Sequence, residues 1–269
     1  MQPPHDPALQ RQYDNPALVP EHPAIIAGWA ADAAAYRHRG GKLDIAYGPS
    51  PRERYDVFGP QEAPIAVFIH GGYWQKLDKS FFSHCAAGLN AHGVAVAVLG
   101  FDLCPAVSIR DILRQVQAAC TALPRRPALA FGHSAGGHLA AMLLGSGHVP
   151  AALPISGVFE LAPLRHTTIG SALQLSEAEA RALSPRFLPP PARGWLHAVV
   201  GSAESTEFRR QTRDFAVAWG GTAEELPGLN HFTVLAPISD PDSPLITRML
   251  GAIAASAPGV SMVPPRSAA

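Results

Sequence analysis

The chain reads as an α/β protein with a mostly parallel central sheet of about eight strands, helices on both faces and a small cap insertion. Three observations predict this class. Short apolar runs alternate with helical patterns along most of the 269 residues, and such alternation builds a sheet covered on both faces. The middle runs are apolar at every position, as expected of parallel strands buried on both sides. A chain of this length can also bury one large core, roughly three quarters of its unfolded surface.

The elements follow in order. Residues 1–40 form an N-terminal extension whose stretch "HPAIIAGWAADAAAYR" (22–37) reads as a helix packed outside the sheet. The main domain spans 41–257 and a tail covers 258–269. Runs at 42–48 and 54–58 come close together with no helix between them, so they form an antiparallel edge. Further strands fall at 65–69, 94–99, 128–131, 152–155, 196–200 and 222–226. Within the helix at 107–123, Ile109, Ile112, Leu113, Val116, Cys120 and Leu123 recur at three- and four-residue steps and make one apolar stripe. The helix at 135–146 is apolar nearly all round and therefore central. Helices at 205–219 and 243–256 complete the set. Residues 160–194, irregular and rich in Pro and Leu, read as an inserted cap.

Composition narrows the function classes. The 21 basic and 21 acidic residues cancel, and no basic stripe exists, so nucleic acid and anionic membranes are not expected partners. No apolar run has the length of a membrane span. The opening "MQPPHDPALQRQYDNP" lacks the basic and apolar regions of a signal peptide. Cys85, Cys104 and Cys120 make neither an even disulfide framework nor a metal spacing. They read as small apolar fillers in a reducing compartment such as the cytoplasm. The partner expected is a small-molecule substrate, and a homodimer is allowed for.

The chemistry centres on "ALAFGHSAGGHLAAMLL" (128–144). Gly132-His133-Ser134-Ala135-Gly136 follows a strand and opens a helix, which is where a nucleophile elbow must sit. A tight turn there forces the serine into an unfavourable backbone conformation and lifts its hydroxyl above the sheet edge. Larger residues at 132 and 136 would collide, and the helix N-terminus adds donors and a positive dipole end. The competing account is a plain serine N-cap on a buried helix.

Two other stretches favour the elbow. "FIHGGYWQ" (68–75) places Gly71 and Gly72 after another central strand. Their backbone N–H groups can form one side of an oxyanion hole, with the N–H of Ala135 on the other. "ELPGLNHFTVL" (225–235) places His231 late in the chain, after the last strand. A serine hydroxyl needs such a base nearby, and Ser…acid…His is the chain order the elbow implies. The acid belongs in "GSAESTEF" just past the strand at 196–200. Glu204 is favoured because a loop carboxylate at the strand end can accept the histidine's other ring N–H. Glu207 stays open as the alternative, although a carboxylate in a helix's first turn has its own reason to be there. Asp214 falls too far along the helix, and Asp102 precedes the serine. Tyr73, Trp74, His133 and Phe232 are the candidates for a substrate pocket, and Trp29, Phe101 and Trp195 are further pocket candidates that read more readily as structural. His70, His133 and His138 lack any ligand spacing with a second His or Glu, so no metal is expected, and no cofactor. His138 reads as packed beneath the 70–74 loop.

With those residues in hand, the chain resembles the α/β-hydrolase fold family, and within it the arylformamidase (kynurenine formamidase) group. The motifs that carry the resemblance are "DIAYG" (44–48), "HGGYW" (70–74), "GHSAGGHLAAMLL" (132–144), "ESTEFRRQTRDF" (204–215) and "NHF" (230–232). The group usually has aspartate where Glu204 stands. The resemblance implies hydrolysis of N-formyl-L-kynurenine to kynurenine and formate through an acyl-enzyme on Ser134. A carboxylesterase or other small amidase would use the same three residues, and fold alone does not separate them. A catalytically inactive binding module is the remote alternative. A formylkynurenine pocket needs a cation for the amino-acid carboxylate, and Arg52, Lys76 and Arg165 are the candidates.

Overall fold

The computed structural model describes residues 3–256; the tail expected at 258–269 lies outside them. The N-terminal extension holds α1 (Pro7–Tyr13), α2 (Asn15–Leu18) and α3 (His22–Arg37). The edge hairpin follows as β1 (Lys42–Ala46) and β2 (Arg54–Phe58), then β3 (Ile65–Ile69), α4 (Ala87–Ala91), β4 (Ala95–Leu99) and α5 (Ile109–Ala122). The centre continues with β5 (Leu129–His133), α6 (Ala135–Gly145) and β6 (Ala151–Ile155). The inserted segment carries α7 (Gly170–Leu173) and α8 (Glu177–Ala182) between short 3₁₀ turns. Last come β7 (Trp195–Gly201), α9 (Thr206–Ala218), β8 (Thr222–Leu226), α10 (Ala236–Ser239) and α11 (Pro244–Ala255).

All eight strands belong to one sheet in the order β1-β2-β4-β3-β5-β6-β7-β8. β2 runs antiparallel to both β1 and β4, and every pair from β4 through β8 is parallel. The seven residues from 47 to 53 are too few for a crossover, so the first two strands can only form a hairpin. After β4 the chain steps back over β3 to start β5, so the order of strands reverses between β3 and β5. In open sheets a crevice forms outside the carboxyl ends of the strands at such a reversal. Register lines those ends up: Ile69 sits beside Gly132, His133 beside Ile155, and Ile155 beside Val199. The loops after β3, β5 and β7 therefore leave the sheet side by side.

Alternation along the buried strands feeds two cores. In β3, Ile65, Val67 and Ile69 face one side with Ile112, Val116, Leu139 and Phe215. Ala66 and Phe68 face the other with Trp29, Leu89, Ile246 and Met249. Each fully buried residue of that size contributes about 1.5–3 kcal/mol. Caps fix where the helices begin. Ser108 and Asp111 form a reciprocal capping box on α5, and Ser243 caps α11 ahead of Pro244.

The expected strands are present with ends shifted by a residue or two. The main difference is β5, which continues through Gly132 and His133 and so delivers the serine directly from the sheet. The two short helices before α3 were not among the expected elements. Asp6 accepts from the N–H groups of Ala8 and Leu9 with Pro7 at the first helical position, a start signal written in "DPALQ". Among the described residues no helix is long and apolar enough to cross a membrane.

Candidate active site

Ser134 stands alone between β5 and α6 with φ 56° and ψ −118°. A non-glycine residue held there is strained, and the surroundings must compensate. Two clamps do so: its N–H donates to the Ile155 carbonyl at 2.8 Å, and its carbonyl accepts from His138 N–H at 3.1 Å. Its side chain makes no cap hydrogen bond to α6. That observation separates the elbow from the plain N-cap, because a capping serine spends its hydroxyl on the helix.

Close packing explains the flanking glycines. A Cβ on Gly136 would lie 1.9 Å from the Ile69 carbonyl oxygen, so no other residue fits where α6 meets the end of β3. A Cβ on Gly71 would lie 2.9 Å from the His133 oxygen and 3.0 Å from Ser134 Cβ. The glycine loop after β3 therefore lies directly against the serine turn. Among the described residues, no backbone carbonyl accepts from the N–H of Gly72 or of Ala135.

His231 comes from the loop after β8. Asn230 shapes that loop, its Oδ1 accepting from the N–H groups of Phe232 and Thr233 at 2.9 and 3.0 Å. His231 Nδ1 lies 2.7 Å from Glu204 Oε2. A carboxylate only accepts, so Nδ1 carries a proton, and in the neutral imidazole Nε2 is then the nitrogen with the lone pair. The other Glu204 oxygen accepts from Gly201 N–H at 2.7 Å and from the Ser156 hydroxyl. Ser134, Glu204 and His231 are all buried. The ring of Phe208 packs against that of His231 with centroids 4.7 Å apart.

Ser134 and His231 line one cavity of about 360 Å³, with Gly72, Tyr73, His133 and Phe232 in its wall. That volume suits a small molecule. His133 Nε2–H donates to the His231 carbonyl at 2.7 Å, tying the serine turn to the histidine loop. Burial, helped by the neighbouring His231, holds the His133 pKa well below the ordinary range, so it stays neutral. Burial also lowers His70 and His138 to about 4. His70 stacks 4.3 Å from Phe101, while His138 donates to the Leu183 carbonyl under Trp74.

The alpha/beta hydrolase family model matches residues 66–267. The chain belongs to that family. Among curated proteins, the kynurenine formamidase of Salmo salar is 28% identical over 240 residues, covering 78% of this chain and 82% of that one. The kynurenine formamidase of Danio rerio is 28% identical over 235 residues, covering 77% and 80%. Among solved structures, a protein from Silicibacter sp. provisionally called a thioesterase is 33% identical. It superposes with a TM-score of 0.83 over 89% of this chain and 97% of that one. Esterase B of Lactobacillus rhamnosis shares the fold at a TM-score of 0.66 and 18% identity, covering 90% and 96%.

Against the expected site of this hydrolase, several placements differ. Trp74 does not line the cavity. Left-handed backbone at Tyr73 and Trp74 (φ 51° and 59°) splits the pair, and the indole packs edge-on to His138 at 5.0 Å in the core. Trp29, expected to be structural, does reach the cavity wall, with its ring 5.9 Å from Phe232. Glu207 pairs with Tyr13, Arg210 and Gln211 and not with a histidine. Asp102, set aside as the acid because it precedes the serine, binds Ser50 and Gln115. Of the three candidate cations only Lys76 lines the cavity. Arg52 is held by Asp78 and two carbonyls, and Arg165 by Leu175 and Glu177. Sequence reasoning missed Asn15, His22 and Thr168 in the wall. No local pattern marks them, because they arrive from the N-terminal extension and the inserted segment.

Proposed function

We propose that this alpha/beta hydrolase cleaves an aryl formamide such as N-formyl-L-kynurenine, releasing the aryl amine and formate. The observation that carries the reading is the 2.7 Å Glu204–His231 bond beside a strained, uncapped Ser134, in a chain 28% identical to kynurenine formamidases. In the proposed reaction the Ser134 oxygen attacks the formyl carbon while His231 Nε2 takes the hydroxyl proton. The N–H groups of Gly72 and Ala135, with Gly71 close by, would hold the oxyanion, at about 3–4 kcal/mol per donor. His231 returns the proton to the nitrogen as the C–N bond breaks, leaving a formyl ester on Ser134. Water then attacks that ester with His231 again as base, and formate leaves as Ser134 regains its proton. An aryl amine departs more readily than an alkyl amine, and the chemistry asks for no cofactor. The three buried free thiols support placing this activity in a reducing compartment such as the cytoplasm.

A second reading, hydrolysis of short acyl or aryl esters or thioesters, is favoured by the Silicibacter protein and uses the same acyl-enzyme. The test is hydrolysis of N-formyl-L-kynurenine by the purified protein beside p-nitrophenyl acetate and butyrate. Efficient formamide cleavage that falls by roughly 10⁴–10⁶ in Ser134→Ala is the expected result. Ester turnover by Ser134 with no formamide cleavage would select the second reading.

A further inference from the structure

We infer that Asn15, Gln75 and Lys76 form a subsite that binds the free amino-acid end of the substrate, its ammonium and its carboxylate together. This rests on the formamide reading and says which formamide the cavity prefers. The cavity wall contains no Asp or Glu. Lys76 is the wall residue with a fixed charge, and among the described residues no carboxylate pairs with it. An exposed cation with no carboxylate partner, in a wall without Asp or Glu, can receive an anion.

Hydrogen bonding fixes how the two amides are turned. Tyr73 O–H donates to the Tyr13 carbonyl at 2.7 Å, so the phenol oxygen can only accept from Asn15. Asn15 therefore offers its NH₂ to Tyr73 at 3.3 Å, and its Oδ1 has no protein partner among the described residues. Gln75 Nε2 donates to the Ile169 carbonyl at 3.1 Å. A carbonyl cannot donate, so Gln75 Oε1 is likewise the unspent end. The residues that carry these two acceptor oxygens and the ammonium all line the same cavity. They complement an α-ammonium and an α-carboxylate respectively.

The subsite is coupled to the reacting centre through one turn. Gly72, at φ 104°, accepts through its carbonyl from the N–H groups of Gln75 and Lys76 at 2.9 and 3.0 Å. The N–H of that same Gly72 is a proposed oxyanion donor. Seating the amino-acid end on Gln75 and Lys76 therefore holds the substrate against the segment that must meet its formyl oxygen. Tyr73, Trp29 and Phe232 supply flat apolar surface for the aryl ring.

The test compares N-formyl-L-kynurenine with N-formyl-2-aminoacetophenone, the same aryl formamide without its amino-acid end. The wild type is expected to favour the first in kcat/KM. In Lys76→Met that preference falls roughly ten- to hundredfold through KM, and Lys76→Arg restores most of it. Gln75→Leu, made separately, lowers the same ratio and guards against a folding defect in one variant. An unchanged ratio in both Lys76→Met and Gln75→Leu overturns the subsite while leaving the formamide reading intact. A wild type that cleaves p-nitrophenyl acetate but neither formamide overturns both.

Discussion

Glu204 has both oxygens engaged, and the two ends are not interchangeable. Oε1 takes two donors, the Gly201 N–H and the Ser156 O–H, while Oε2 takes the His231 ring N–H. In Glu204→Gln the new NH₂ cannot face two donors, so it must turn toward His231. The imidazole then accepts at Nδ1 and carries its proton on Nε2, where the proposed mechanism requires a base. We expect kcat to fall by roughly 10³–10⁴ with KM and circular dichroism little changed, as wrong-tautomer substitutions do in serine triads. A loss below about tenfold would mean that Glu204 does not orient the base. Residues of this kind were legible to different depths. Ser134 and His231 follow from chain order and flanking motifs, because an elbow needs small neighbours and a base must come late. Glu204 is favoured over Glu207 already by its place just past the strand, and the structure adds the backbone geometry that the sequence does not show. Glu204 N–H closes a turn onto the Gly201 carbonyl at 3.1 Å, whereas Glu207 is already inside α9.

At the scale of elements, the N-terminal extension is a wall of the cavity, contributing Asn15, His22 and Trp29. Short helices such as α1 and α2 are marginal alone, so what holds them is tertiary. Gln12 Oε1 accepts from Thr206 and from Glu207 N–H, Gln10 accepts from Thr168 N–H, and Tyr13 donates to Glu207 at 3.0 Å. This is why α3, with sixteen residues, could be bounded from sequence while its predecessors could not. Glu207 is the hub of the clip. Burial alone would raise its carboxyl, but hydrogen bonds from Arg210, Gln211 and Tyr13 outweigh it and hold the pKa at about 2, below the ordinary 4.5. A carboxylate depressed in the folded state contributes stability above its ordinary pKa and loses it as pH falls toward the folded value. Glu207→Gln should therefore cost on the order of 1–2 kcal/mol at pH 7, after allowance for the partly exposed Arg210. The difference in Tm from wild type should shrink as pH drops from 4.5 toward 2. Melting curves at pH 7 and pH 3 check this, and a gap that is equal at both would remove Glu207 as the source.

Across the whole molecule, the sheet separates two cores that the sequence showed only as one supply of apolar residues. Alternation along β3 and β5 divides them, but which helix covers which face depends on the crossover after β4, and no local pattern encodes that. The cysteines report on both sides. Cys85 lies in the core with Phe82 and Trp29, whereas Cys104 and Cys120 lie in the core with Phe101 and Val116. All three are buried and unpaired. Burial raises each thiol, Cys104 to about 11 and Cys120 to about 12, with Cys85 higher still. A thiol rather than a thiolate, sealed from solvent, reacts slowly. Native protein should therefore be nearly silent to a thiol-specific chromogenic reagent, and unfolded protein should release three equivalents. Because every central strand contributes side chains to both cores, neither face can open while the other stays packed. The three thiols should become reactive over a single urea interval that coincides with loss of circular dichroism. Labelling resolved by peptide mapping decides the point. If Cys85 reacts at lower urea than Cys104 and Cys120, the face under α3 and α11 opens as its own unit, and the sheet does not bind the two cores into one cooperative fold.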